Sequence, residues 1–282
     1  MEANRKSKAI VVDNEDHYDF KVAEVNVANP GEGEVLVEMH YATFTVEDTL
    51  YQSKAYKPAY PFLGGYDGSG KVVKVGAGVD AFKEGDSVSV FLLPARSGSK
   101  KSNIPDGIAR KMRAGTLWRD QQHLKAYTGE KELAGFMGLG TWSQYAVFPE
   151  GHLLKINEEP SPMNAGLGSL VGPALAATRQ FFQVEEGSTC AVFGSSVLSV
   201  LIVLGLRRLK CNIVVVSEGV PSIEALFDEL GCYVVRVEGR SPTDVKADLL
   251  KVYELGYDYT FECSNYATYG TVALEVCHKG WG

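Results

Sequence analysis

Between residues 187 and 263 four short apolar runs, AVFG, NIVVVS, CYVVRV and DYTFEC, alternate with segments of helical spacing such as VLSVLIVLGLRRL and PSIEALFDEL. Nothing else in the chain constrains its fold as much. Apolar runs without polar alternation must be covered on both faces, and strands joined by helix-length connections run parallel. The spacing predicts an α/β unit built on a Rossmann-type, doubly wound parallel sheet. The stretch AVFGSSVLS, residues 191–199, then falls where the first strand feeds its helix.

Sheets of this kind receive dinucleotides at that turn, and G-x-G-x-x-G is the pattern that suits it. The first glycine makes the tight turn, the second lets backbone approach the pyrophosphate, and the third lets helix and strand pack closely. Here Gly194 keeps the first place, Ser195 follows it, and Ser196 and Ser199 stand at the second and third. Each serine brings a Cβ and a hydroxyl where a working turn has bare backbone. A hydroxyl can also donate to phosphate, so the pattern implies weakened binding of NAD rather than none. Glu218 ends the run NIVVVSE, 24 residues after Gly194. A carboxylate at about that distance suits a ribose 2′-hydroxyl and disfavours a 2′-phosphate.

The first 150 residues are written differently. KAIVVD, GEVLVEMHYATF, SGKVVKVG, GDSVSVFLL and WSQYAVF alternate or run apolar between glycine and acidic turns, the pattern of an antiparallel barrel or sandwich. The change of style places a domain boundary between residues 155 and 175, giving domains at 1–160 and 161–282. An irregular lobe is expected over 94–135. Within it, residues 96–119 hold seven basic side chains against the single acid Asp106, which read as a solvated surface or a patch for an anion.

Composition sets the remaining limits. At 45% hydrophobic, 22% charged and net charge −7, the chain is a poor candidate for nucleic-acid binding. Its most apolar run, 197–206, is about half a bilayer span, so no membrane role is expected. All five cysteines lie from Cys190 onward and none forms a C-x-x-C pair. With no secretory signal, free thiols in a reducing cytoplasm are the expectation.

Several segments together resemble the medium-chain dehydrogenase/reductase superfamily. GSGKVVKVGAGVDAFKEGDSVSVF (68–91) resembles the signature hairpin of its GroES-like domain, and GTWSQYAVF the segment after the lobe. GSTCAVFG, YDYTFECSN and ALEVCHKGWG resemble the nucleotide domain of zinc alcohol dehydrogenases, nearest the class III, glutathione-dependent formaldehyde dehydrogenase branch. The resemblance implies a GroES-like β-barrel domain followed by the Rossmann-type domain.

It also implies a catalytic zinc held by cysteine, histidine and cysteine, and here the chain departs from the family. Val46, Tyr66 and Gly172 occupy those ligand positions, and PARSGSKKSNIP lacks the four cysteines of the structural zinc. Neither catalytic nor structural zinc is therefore expected, because zinc needs thiolate or imidazole donors. Asp48 replaces the hydroxyl that starts the family's proton relay, Tyr51 the relay histidine, and Ala176 a threonine lining the nicotinamide pocket.

Two functional readings follow. One is an alcohol-dehydrogenase-like protein with at most weak NAD(H) binding and little or no activity. The other is a zinc-independent NAD(P)(H) oxidoreductase acting on a small carbonyl, quinone or enone substrate. In that case Tyr51 or Tyr66 would donate the proton, with Asp48 or Asp67 orienting it. In the family, further residues complete the parallel sheet. A sheet ending at Gly282 would leave an unpaired edge, so either the sequence is a fragment or a homodimer, another partner or another element covers that edge.

Overall fold

The computed structural model describes residues 5–13, 19–45, 48, 59–92, 121–136, 138–157, 161–181, 183–264 and 266–278. The chain divides into two compact units, Met1–Ser169 and Leu170–Gly282.

In the first unit the strands are β1 (Arg5–Val12), β2 (Lys21–Val27), β3 (Glu34–Ala42), β4 (Phe62–Leu63), β5 (Gly68–Val75), β6 (Ser87–Val90), β7 (Gln121–Thr128), β8 (Lys131–Phe136), β9 (Tyr145–Pro149) and β10 (Leu153–Lys155). They form a closed barrel, β1-β2-β7-β8-β4, and a five-stranded sheet, β10-β6-β5-β3-β9. All pairs are antiparallel except β4 with β8. Side-chain alternation explains the layering. β1 buries Ser7, Ala9 and Val11 while Lys6, Lys8 and Ile10 face outward. β3 sends Val35 and Val37 into one core with Val72, Val88 and Phe148, and Leu36 into another with Val11, Val25 and Leu133. A glycine is mandatory at the end of β5: a Cβ on Gly76 would lie 1.6 Å from the Gly31 carbonyl oxygen.

The segment 94–135 differs from the irregular lobe its sequence suggests. Its end, β7 and β8, is an antiparallel hairpin that completes the barrel, turning at Gly129 with φ +60°. Charged residues hide the pattern, because Lys125, Glu130, Lys131 and Glu132 surround a sparse inward set of Leu124, Ala126 and Leu133. The basic cluster at 96–119 lies outside the described residues. A short helix α1 (Pro162–Ala165) follows β10, then α2 (Gly168–Leu175) and a π-helical turn, Ala176–Phe181, which Ala176 opens.

The second unit alternates β11 (Thr189–Phe193), α3 (Val197–Arg208), β12 (Asn212–Ser217), α4 (Pro221–Glu229), β13 (Tyr233–Arg236), α5 (Pro242–Val252), β14 (Tyr259–Glu262) and α6 (Ala267–Val276). The strands form one parallel sheet in the order β13-β12-β11-β14. Both faces are apolar. Cys190, Val192, Val215 and Phe261 enter one core, and Ala191, Phe193, Val214 and Val216 the other. Helix α3 covers the first with Ile202, Val203 and Leu206, which lie on one helical face. All five cysteines are free, and burial of Cys190 and Cys211 pushes their thiols up, away from reactivity. Among the described residues no helix is long and apolar enough to cross a membrane.

Candidate functional site

In the second unit, Gly194 leaves β11 with φ +116°, and a Cβ there would press within 2.8 Å of the Cys263 carbonyl. The tight turn therefore needs this glycine. The two serines that follow have a different use. Ser196 is the N-cap of α3. Its N–H donates to Ser199 Oγ at 2.8 Å, and its own Oγ accepts the Ser199 N–H at 3.3 Å. This reciprocal capping box occupies donors that a G-x-G-x-x-G turn leaves open. The N–H groups of Val197 and Leu198 begin the helix, where no intrahelical acceptor exists.

A polar chain then ties the turn to the end of β12. Arg236 Nε donates to Glu224 Oε2 at 2.9 Å, and the Ser217 hydroxyl donates to Glu224 Oε1. The Ser217 hydroxyl, followed by Arg236, holds the Glu224 carboxyl below the usual range. Because Ser217 gives its proton to this carboxylate, the 2.9 Å contact between the Ser195 and Ser217 hydroxyls has Ser195 as donor. Ser195 Oγ in turn accepts the Glu218 N–H at 3.0 Å, and the Ser195 N–H donates to Glu218 Oε2 at 3.3 Å. Glu218 Oε1 is buried and has no hydrogen-bond partner among the described residues. Its side chain lines a cleft of about 400 Å³ with Gly219, Glu238, Arg240, Tyr266 and Tyr269.

In the first unit, Tyr66 and Asp67 sit between β4 and β5, and the buried Tyr66 points its hydroxyl at Thr45, just beyond β3. The two hydroxyl oxygens are 2.8 Å apart. Thr45 Oγ1 donates to Asp48 Oδ2 at 3.0 Å, and the Thr45 N–H reaches the same oxygen at 2.7 Å. Tyr66 is therefore the donor in the hydroxyl pair, and its proton leads through Thr45 to Asp48. The backbone is fixed from the other side, with the Asp67 carbonyl accepting from Thr141 Oγ1 at 3.0 Å and the Thr43 N–H at 3.2 Å. The Asp67 carboxyl is fully buried and accepts the Ser169 hydroxyl. Burial pushes it up to about 6, against the lowering effect of Ser169. It can change charge near neutral pH.

The structure thus joins Tyr66 to Asp48 through Thr45, a residue that sequence reasoning passed over because a threonine in ATFTVED carries no signal of its own. Asp67 is buried beside them in sequence, with Ser169 as its partner. Val46 and Tyr51 lie outside the described residues, and Gly172 lies on α2 with no side chain to offer. Of the ligand positions that the structure describes, Tyr66 offers a hydroxyl already bonded to Thr45 and Gly172 offers no side chain, and neither is the thiolate or imidazole that zinc takes.

A GroES-like barrel unit and a Rossmann-type parallel sheet, with the nucleotide turn after the sheet's first strand, define the class of the two-domain dehydrogenases. The alcohol dehydrogenase GroES-like domain family matches residues 31–158. The chain is 30% identical over 275 residues to the S-(hydroxymethyl)glutathione dehydrogenase of Escherichia coli O1:K1 / APEC, covering 93% of this chain and 73% of that protein. Among solved structures, an alcohol dehydrogenase zinc-binding domain protein from Burkholderia ambifaria superposes with a TM-score of 0.80 at 22% identity, over 97% of this chain and 75% of that one. A zinc-binding dehydrogenase from Sinorhizobium meliloti 1021, described as bound to NADP, gives 0.77 at 17% identity, over 98% and 75%. The chain belongs to the medium-chain dehydrogenase/reductase superfamily, as a class III-like alcohol dehydrogenase.

Proposed function

We propose that this chain is an alcohol-dehydrogenase-type protein without zinc chemistry, which takes up NAD(H) weakly and has little or no dehydrogenase turnover. The observation that carries the proposal is the hydroxyl pair of Thr45 and Tyr66, 2.8 Å apart, with Tyr66 at the position of the family's zinc-binding histidine. Polarising an alcohol or aldehyde oxygen in this family depends on a Lewis acid, and a hydroxyl pair supplies none. The nucleotide turn supports weak binding. Its capping box consumes donors at α3, while Gly194, the N–H groups of Val197 and Leu198, and Glu218 remain to hold a dinucleotide. When bound, the nicotinamide would supply hydride chemistry; the chain's own residues supply the cleft, the turn and the acidic partner for a ribose.

The second reading, a zinc-independent oxidoreductase of carbonyls, quinones or enones, rests on the chain from Tyr66 through Thr45 to Asp48. A phenol so held can give its proton to a substrate oxygen once Thr45 turns from acceptor to donor, and a protonated Asp48 then resupplies it through Thr45. The deciding experiment is calorimetric titration with NADH and NADPH on a sample whose metal content is measured. It is paired with assays of S-(hydroxymethyl)glutathione oxidation and of quinone and enone reduction. Weak NADH binding, no stoichiometric zinc and no oxidation support the proposal. Stoichiometric zinc with NAD-dependent oxidation overturns it, and zinc-free reduction of an enone or quinone moves the assignment to the second reading.

A further inference from the structure

We infer that Ser195, through its bonds to Glu218 and Ser217, is the residue that positions Glu218 to select a nucleotide ribose with a free 2′-hydroxyl. This rests on the dinucleotide reading above and adds to it a positioning role for the Ser195 side chain. Ser195 stands at a position where the G-x-G-x-x-G pattern asks for no particular side chain. Yet it makes three contacts, two with Glu218 and one with the residue before it. Its hydroxyl accepts the Glu218 N–H, its N–H meets Glu218 Oε2, and its own proton goes to Ser217.

The far end of this chain is anchored. Ser217 is fully buried, accepts the Gly219 N–H at 3.2 Å and donates to Glu224, which Arg236 holds in place. Each hydroxyl in the series therefore has one orientation, and the Glu218 backbone and carboxylate are held from one side only. Oε2 is engaged, while Oε1 lacks a partner among the described residues. A buried carboxylate oxygen without a donor is costly, and a ligand hydroxyl removes that cost.

The rest of the cleft agrees on the ligand's chemistry. Glu238 adds a second carboxyl. Arg240, the cation lining the cleft, is committed: its Nη2 bonds Asp248 at 2.6 Å and its Nη1 the Arg236 carbonyl at 3.2 Å. A 2′-phosphate entering here would meet two carboxyls and a guanidinium already paired, whereas a 2′-hydroxyl would find an open acceptor.

The test is the ratio of NADH to NADPH dissociation constants, measured by calorimetry on wild type, Ser195→Ala and Ser195→Thr, with circular dichroism melts for each. Ser195→Ala frees the Glu218 backbone, and the wild-type preference for NADH should fall by about tenfold, the effect of one charge-assisted hydrogen bond misplaced. Ser195→Thr keeps the hydroxyl and should restore most of the preference. A purely structural role would weaken both cofactors alike and leave their ratio unmoved. A wild-type preference for NADH that persists in a folded Ser195→Ala overturns this inference alone. Wild-type protein that binds neither cofactor overturns the dinucleotide reading and this inference with it.

Discussion

Replacing Asp67 with asparagine should make the protein more stable at neutral pH and abolish a pH dependence that the wild type shows. The carboxyl is buried with the Ser169 hydroxyl as its partner, and burial raises it from an ordinary 3.8 to about 6. Between about pH 4 and 6 the folded protein keeps a proton that the unfolded chain has released. Wild-type stability therefore falls as pH rises through that window and stays lowered above it. The shift spans just over two pH units at about 1.4 kcal/mol each, so ionising Asp67 in place costs up to about 3 kcal/mol. Asparagine matches the neutral acid in shape and still accepts from Ser169, which makes Asp67→Asn nearly neutral at about pH 4 and stabilising by up to about 3 kcal/mol at about pH 7. The assay is urea denaturation of both proteins across that range, read as the difference between them. Asp86, Glu224, Asp244 and Asp248 are held below their ordinary values by their partners and give the opposite slope. They are common to both proteins and cancel in the difference. A stability difference that is constant across the series, or that turns against the asparagine variant as pH rises, would refute the burial argument.

Two further outcomes test the sites. Tyr66→Phe removes the donor to Thr45 and should lower thermal stability by about 1 kcal/mol. If Tyr66 is also the proton donor of a reductase, turnover should fall by roughly a hundredfold with cofactor affinity unchanged. Unchanged stability would argue against the hydroxyl pair, and unchanged turnover in an active wild type against the proton-donor role. The double change Ser196→Gly/Ser199→Gly opens the capping box, costs α3 about 1 kcal/mol and should tighten NADH binding in calorimetry. An affinity that stays the same or weakens would show that the box is not what limits the turn.

Much of the second unit was legible in the residues themselves. NIVVVS is β12 residue for residue, AVFG holds only the last three residues of β11, DYTFEC contains β14, and PSIEALFDEL contains α4 with its proline in the first turn. These elements report local facts: an apolar run too short for a helix, or a proline where a helix may begin. The hairpin of β7 and β8 was hidden, because its hydrophobic set is small and its outer face crowded with charge. β2, KVAEVNV, was also passed over, although Ala23, Val25 and Val27 alternate with Glu24 and Asn26, because only Val25 and Val27 are buried. At the turn, Gly194 and the absent glycines were readable, but the use of the serines was not. Nothing in SSVLS distinguishes a hydroxyl aimed at a phosphate from one that caps its own helix.

The sequence by itself determined the alternation of strands and helices in the second unit, where the nucleotide turn falls, and that no cysteine precedes Cys190. Those properties depend on residue type and on periods of two or of about three and a half, which neighbours along the chain settle among themselves. Tertiary structure alone decided what the polar residues do. Thr45 meets Tyr66 across 21 residues, and Ser195 meets Ser217 across 22. Asp67 meets Ser169 across 102. A hydrogen bond is a matter of a few tenths of an ångström and one direction. No spacing pattern carries that information, and only the packed sheets that bring these loops together supply it.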